Sequence, residues 1–129
     1  MKEQFIPYEQ ALELKELGFN EECFAWYNMS QDNLCFFGDD CCADMYAGEK
    51  SRPEAPLWQQ AFDWFRDKYN LVSEIFHNPE YEWKNWKYRF YWTTERLRLS
   101  NISDGHYETY EEARLECLKK LIKIVELEK

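Results

Sequence analysis

The sequence predicts an α+β protein in which three helices pack with an antiparallel sheet of about four to five strands. Three segments carry apolar residues at helical spacing, and the last of them begins with capping residues. A central run, WKYRFYW at residues 86–92, alternates large aromatic residues with Lys87, Arg89 and Tyr91. That alternation is typical of a half-buried strand. The predicted order of elements is α-β-β-α-β-β-β-α.

The first half of the chain predicts one helix, a hairpin and a long loop. Pro7 in a first turn and Gly18 after the last apolar position bound an amphipathic helix. Residues 23–29 (CFAWYNM) and 34–37 (LCFF) are strand-like, and the turn formers SQDN lie between them. Residues 38–56 follow neither hydrophobic period, so we expect a surface loop, and loops of this length are often functional.

The second half predicts a helix followed by a meander of strands. Residues 57–69 have apolar side chains at i, i+4 and i+7 spacing. Residues 71–76 read as a strand that turns through Asn78 and Pro79 into the aromatic strand 86–92. Residues 96–102 alternate leucine with arginine and predict a further strand.

The C-terminal helix has the clearest boundary signal. Thr109 followed by Glu112 forms a capping box, which places the first helical residue at Tyr110. The apolar face of this helix is predicted to consist of Ala113, Cys117, Leu118, Leu121, Ile122 and Val125.

Length and cysteine content suggest one soluble domain. The chain has 129 residues, enough for a single domain spanning 1–129. Its five cysteines are an odd number with one adjacent pair, which favours free thiols in a reducing compartment. No signal-peptide pattern or membrane-spanning run is present in the sequence, so we expect a soluble, cytoplasmic protein, away from membranes.

The net charge of −9 is unevenly distributed. Residues 1–80 hold 6 Lys/Arg against 16 Asp/Glu, and residues 81–129 hold 10 against 9. An acidic lobe repels phosphates and favours a basic protein surface, although solubility alone is the other explanation. The predicted partner-binding residues are those of the acidic loop, with Trp58, Tyr46 or Trp83 as aromatic anchors: Asp39, Asp40, Asp44, Tyr46 and Glu49.

The basic and aromatic segment offers an alternative, nucleic-acid-binding face. Arginine, lysine and tyrosine on a sheet surface neutralise phosphates and stack on bases. The residues of this predicted face are Lys84, Lys87, Arg89, Tyr91, Arg96 and Arg98. The aromatic reverse of the strand is covered either by helices of this chain, by bases, or by a second copy in a homodimer.

Catalytic and metal-binding patterns do not emerge from the sequence. Cys41 and Cys42 are adjacent beside acidic residues, but zinc sites need C-x-x-C knuckles or paired histidines so that ligands converge. The two histidines, His77 and His106, lie in predicted turns, and Cys117 lies on an apolar helix face. We expect no enzymatic activity, cofactor or metal.

Three segments resemble a family of small uncharacterised phage and prophage proteins: residues 5–24 (FIPYEQALELKELGFNEECF), 55–71 (APLWQQAFDWFRDKYNL) and 109–125 (TYEEARLECLKKLIKIV). The family has no established activity, so no functional residue is carried over from it. The resemblance implies a phage accessory protein, and small acidic phage proteins often look like inhibitors of host defence. The predicted function is therefore a non-enzymatic binding protein that inhibits a host defence complex, most sharply an anti-CRISPR protein on an RNA-guided nuclease. The alternative is an RNA-binding or single-stranded-DNA-binding accessory protein.

Overall fold

A computed structural model describes residues 2–27, 34–36, 54–79, 85–93, 101–102 and 106–128 of the chain. Within them the protein is α+β, as predicted, with three α-helices and two small antiparallel sheets. The chain divides into two compact units, Met1–Ala61 and Phe62–Lys129. A single domain over residues 1–129 stays a prediction.

Helix α1, Tyr8–Glu16, opens the first unit after a 3-10 turn at Lys2–Gln4. Its N-cap is Pro7. Proline has no backbone N–H, and at the start of a helix an N–H would find no carbonyl within the helix to bond. The helix is followed by its C-cap, Leu17, and then by Gly18, whose φ is 105°. The Phe19 N–H donates to the Leu14 carbonyl at 2.9 Å, and the Gly18 N–H donates to the Lys15 carbonyl at 3.1 Å. These two bonds form a Schellman motif, which confirms the predicted helix end.

The first sheet is built around strand β1, Ala25–Tyr27. It pairs antiparallel with β2, Leu34–Phe36, and with β3, Glu54–Ala55. All three residues of β1 are buried, so both faces of the strand are covered. The Tyr27 hydroxyl donates a hydrogen bond to the Ile6 carbonyl, which satisfies the phenol that burial has removed from water.

The predicted hairpin of residues 23–29 and 34–37 is confirmed, with Trp26 opposite Cys35. Strand β3 falls within the stretch 38–56, which the sequence assigned entirely to a loop. Two residues are too short to show either hydrophobic period, so pairing with β1 is what makes them a strand. Residues 37–53 lie outside the described part of the chain.

Helix α2 spans Trp58–Tyr69 and leads into the second unit. It is followed by Asn70, which has φ 59°. Asparagine tolerates this left-handed conformation better than most residues, so the chain can reverse there. Strand β4, Leu71–His77, then pairs antiparallel with β5, Trp86–Trp92, in a continuous seven-residue register. Both predicted strands are confirmed. The two-residue strand β6, Asn101–Ile102, pairs with the other edge of β5.

Helix α3, Tyr110–Glu128, packs across β4 and β5. Its predicted cap is confirmed, because the Glu112 N–H donates to Thr109 Oγ1 at 3.1 Å. Each of its fully buried leucine and isoleucine side chains contributes roughly 1.5–3 kcal/mol through removal from water. All six residues of the predicted apolar face are buried: Ala113, Cys117, Leu118, Leu121, Ile122 and Val125.

The expected four- to five-stranded sheet is instead two small sheets, each with two main strands and a two-residue third strand. The physical reason is that alternation fixes which face of a strand is buried but does not select its neighbour. Strands β1, β2 and β3 precede helix α2 in the chain, and strands β4, β5 and β6 follow it. Each sheet is therefore assembled from strands on one side of helix α2 in the chain order.

Among the described residues, no helix has both the length and the apolar character that crossing a bilayer requires.

Candidate interaction surfaces

The predicted acidic contact loop lies outside the described residues. This applies to Asp39, Asp40, Asp44, Tyr46 and Glu49, and on the basic face to Lys84, Arg96 and Arg98. The surfaces that the structure does describe are an acidic surface on the first unit and the outer face of the β4–β5 sheet. We take them in turn.

The negative charge is concentrated in one compact unit. Met1–Ala61 holds 4 Lys/Arg and 12 Asp/Glu, a net charge of −8, whereas Phe62–Lys129 holds 12 and 13, a net charge of −1. The acidic character therefore coincides with the first unit rather than with residues 1–80.

Helix α1 presents part of this charge as a stripe. Glu9, Glu13 and Glu16 follow i, i+4, i+7 spacing, so they share one face of the helix. Glu9 and Glu16 are exposed, while Ala11 and Leu14 are buried. The helix is thus held by its apolar face and turns its carboxylates outward.

The segment between α1 and β1 carries two further exposed carboxylates. Glu21 and Glu22 are exposed, and their neighbour Cys23 is buried. Gln60 Nε2 donates to the Glu22 carbonyl at 2.7 Å, which fixes the backbone and leaves the carboxylate at the surface. Within the described part of the chain, the carboxylates of Glu9, Glu16, Glu21 and Glu22 form no ion pair. We define these four residues as the acidic surface.

The nearby negative charge affects the pKa of the Cys23 thiol. Burial raises its pKa far above the ordinary value, and the nearby carboxylates of Glu54 and Glu21 raise it further. Cations bound at the acidic surface would oppose the rise in the pKa of the Cys23 thiol that these carboxylates cause.

Phe24 is the aromatic residue that the sequence reasoning missed. Its side chain is 69% exposed, and it lies two residues after Glu22 in the chain. Trp58, a predicted anchor, does not offer its ring to a partner: it is buried, and its indole N–H donates to the Glu3 carbonyl at 2.9 Å. Sequence reasoning missed Phe24 because residues 23–29 have the pattern of a strand, in which aromatic side chains at every second position are expected to be buried.

The outer face of the β4–β5 sheet carries the described part of the basic aromatic face. Lys87, Arg89 and Tyr91 share this face, as predicted from the alternation. The cross-strand neighbours of these three residues are, in the same order, Phe76, Glu74 and Val72.

Arg89 is already engaged on this face. Its guanidinium forms an ion pair with Glu74 and lies 5.5 Å from the ring centroid of Phe76. Both contacts stabilise the cation where it is and reduce its attraction for an incoming phosphate. The described face therefore has a weaker positive potential than the sequence alone suggested.

The inner face of the same sheet is the core of the second unit. Tyr88 and Phe90 are buried, while Trp86 and Trp92 at the two ends of β5 are half-buried. Since helix α3 packs against β4 and β5, this chain covers the middle of its own aromatic face. Base stacking on the buried Tyr88 and Phe90 would require α3 to leave.

The two described free cysteines are poorly suited to nucleophilic chemistry. Cys117 is fully buried, and burial raises the pKa of its thiol to about 12. A reactive cysteine needs a lowered pKa and access to a substrate. Among the described residues, no group of three His, Cys, Asp or Glu side chains is arranged to hold a metal ion.

No family model, no curated protein and no solved structure matches this chain. The resemblance to phage proteins consequently stays a prediction, and the functional argument rests on the chemistry of the two surfaces.

Proposed function

We propose that this protein is a non-enzymatic, phage-derived binding protein that inhibits or modulates a host defence complex. Its sharpest form is an anti-CRISPR protein that binds an RNA-guided nuclease through an acidic surface. The observation that carries the proposal is a set of exposed carboxylates that form no ion pair among the described residues, on a compact unit of net charge −8. The phage origin follows from the resemblance in residues 5–24, 55–71 and 109–125.

Electrostatic competition is the proposed mechanism. A groove that holds RNA or DNA is lined with Lys and Arg, and an acidic protein surface is attracted to the same side chains. Complementary charge increases the association rate and selects the basic partner. Phe24 supplies an apolar contact beside the carboxylates, since energetically dominant contacts at interfaces are often aromatic.

The first test is a tagged pull-down from a lysate of the natural host, with and without nuclease digestion. The proposal expects a host protein that is retained after digestion. Recovery of nucleic acid alone, or of proteins lost on digestion, would contradict it.

The second test neutralises the acidic surface and measures affinity for the recovered protein. The double variant Glu9→Gln, Glu16→Gln should bind about tenfold or more weakly, because two charges that face the partner are lost. The matched control is Glu108→Gln, Glu126→Gln, which removes two exposed carboxylates from the second unit. Equal affinities of the two double variants would place the interface away from helix α1.

The acidic loop is tested separately. Charge reversal at Asp39, Asp40 and Asp44 should weaken binding if these residues extend the acidic surface. Unchanged binding would remove the loop from the proposed interface and leave helix α1 as the site.

The alternative function is binding of RNA or single-stranded DNA through the basic aromatic face. It is supported by the placement of Lys87, Arg89 and Tyr91 on one sheet face. It expects binding to short oligonucleotides at low salt, falling steeply as salt is added, and weakened by Lys87→Gln. No binding at low salt would exclude this face as a nucleic-acid site.

A further inference from the structure

An exposed carboxylate and an exposed aromatic ring lie two residues apart in the first unit. Glu22 and Phe24 are exposed on either side of Cys23, which is buried. When the residue between two others is buried, those two turn towards solvent together, as alternate residues of a strand do. Glu22 and Phe24 therefore present a negative charge and a ring on the same side of the backbone.

The backbone that carries this pair is held from within the unit. Gln60 Nε2 donates to the Glu22 carbonyl at 2.7 Å, and the Cys23 thiol donates to the Glu21 carbonyl at 3.5 Å. The buried Cys23 side chain is a further anchor between the two exposed residues. A surface that is fixed before a partner arrives loses less conformational entropy on binding. The pair is thus prepared for a ligand.

No described residue of this chain occupies the pair. Within the described ranges, Glu22 takes part in no ion pair, and Phe24 takes part in no ring–ring or cation–ring contact. Both the charge and the ring face are therefore available to another molecule.

The second unit shows what this combination of side chains holds. Glu74 and Phe76 are also two residues apart, on the outer face of strand β4. The guanidinium of Arg89 forms an ion pair with Glu74 and lies 5.5 Å from the ring centroid of Phe76. The two segments have the same spacing, EIF at residues 74–76 and ECF at residues 22–24. One arginine can engage both members of such a pair.

We propose that Glu22 and Phe24 bind an arginine side chain of the host partner and select arginine over lysine. The inference rests on the proposed function, since it assigns a residue type to the partner of the acidic surface. A guanidinium is planar, so it stacks on a ring while its N–H groups donate to a carboxylate. A lysine ammonium carries the same charge, but it has no planar face and is more strongly hydrated.

The selectivity comes from the ring and not from the charge. The first unit has a net charge of −8, and the exposed Glu21 lies next to Glu22. These negative charges attract lysine and arginine equally at long range. Phe24 is the member of the pair that distinguishes the two cations.

The experiment compares two peptides of equal length and charge, oligoarginine and oligolysine, on the full chain. An NMR titration of the backbone amides gives both affinities and locates the site. Oligoarginine should bind about threefold or more tightly than oligolysine. The amides of Glu22 and Phe24 should be among those that shift most. Equal affinities, or no binding of either peptide, would overturn the inference.

Substitutions at Phe24 separate the ring from the charge. Phe24→Leu keeps an apolar side chain without a ring face, so oligoarginine should bind about threefold more weakly, with oligolysine unchanged. Phe24→Tyr keeps the ring and should keep the preference. The matched control is Leu127→Ala, at an exposed residue of the second unit. An arginine preference that persists in Phe24→Leu would show that this ring does not select the cation.

The same variants distinguish this inference from the proposed function. If a host protein is recovered and Phe24→Leu binds it as tightly as the unchanged chain does, the arginine site is wrong and the acidic surface stands. If oligoarginine is preferred through Phe24 but no host protein is recovered, the arginine site is supported and the proposed function fails.

Discussion

At the residue scale, burial decides the chemistry that a side chain can perform. Cys117 and Phe24 are both apolar-like residues in segments that predict burial, yet one is fully buried and the other is 69% exposed. The first is consequently inert, and the second is available to a partner. Each leads to a prediction.

Cys117 should make the protein lose stability at alkaline pH. Burial raises the pKa of its thiol from 9.0 to about 12, so the folded state favours the neutral thiol. That contribution to the free energy of unfolding is complete below about pH 9 and is lost as pH rises from about 9 to about 12. Burial also raises the pKa of Cys23 and Tyr27, which adds in the same direction.

Urea denaturation between about pH 7 and about pH 10.5 measures this effect. Cys117→Ala should reduce the alkaline loss, because alanine has no thiol to ionise. An identical pH dependence in the variant and the original chain would show that Cys117 is not a source of the loss.

Phe24→Ala should affect binding without affecting folding. The exposed ring contributes little to the fold, so the free energy of unfolding should change by less than about 0.5 kcal/mol. Affinity for the host partner should fall by about tenfold or more if the ring is an interface anchor. The matched control is Leu127→Ala, which truncates a 79% exposed side chain on helix α3 and should alter neither quantity. A large loss of stability in Phe24→Ala would contradict its exposure.

At the element scale, the ends of α1 and α3 show how local sequence fixes structure. Thr109 caps α3 and Gly18 closes α1, and both features were predicted from residue type and position. These signals are readable because the hydrogen bonds involved span only a few residues.

Gly18→Ala should destabilise α1. A Cβ at φ 105° clashes with the backbone, so the substitution should cost about 1–2 kcal/mol of unfolding free energy. Gly18→Asn should cost less, since asparagine tolerates positive φ better. Exchange rates of the α1 amides report the effect, and equal rates in the two variants would mean that the Schellman motif does not hold the helix end.

At the scale of the whole molecule, the concentration of negative charge in the first unit predicts an association that weakens as salt is added. The acidic unit should lose its host partner as salt is added, with Kd rising about tenfold or more between about 0.05 and about 0.5 M NaCl. Titrations at each salt concentration measure this Kd, and a host partner whose binding is insensitive to salt would contradict an electrostatic interface.

The sequence by itself determined the features that depend on neighbouring residues. It predicted the α+β class, the end of α1, the start of α3, the two long strands of the second sheet and the shared face of Lys87, Arg89 and Tyr91. Periodicity and capping are properties of a few consecutive residues, so one sequence is enough to recognise them.

Tertiary structure alone decided which residues meet and which stay exposed. It divided the strands between two sheets, placed Glu74 against Arg89, buried Trp58 and left Phe24 exposed. The predicted acidic loop lies outside the described residues, so the described part of the acidic site is instead Glu9 and Glu16 on α1 with Glu21 and Glu22 after it. The physical reason is that strand pairing and burial depend on residues far apart in the chain, and hydrophobic pattern does not specify those neighbours.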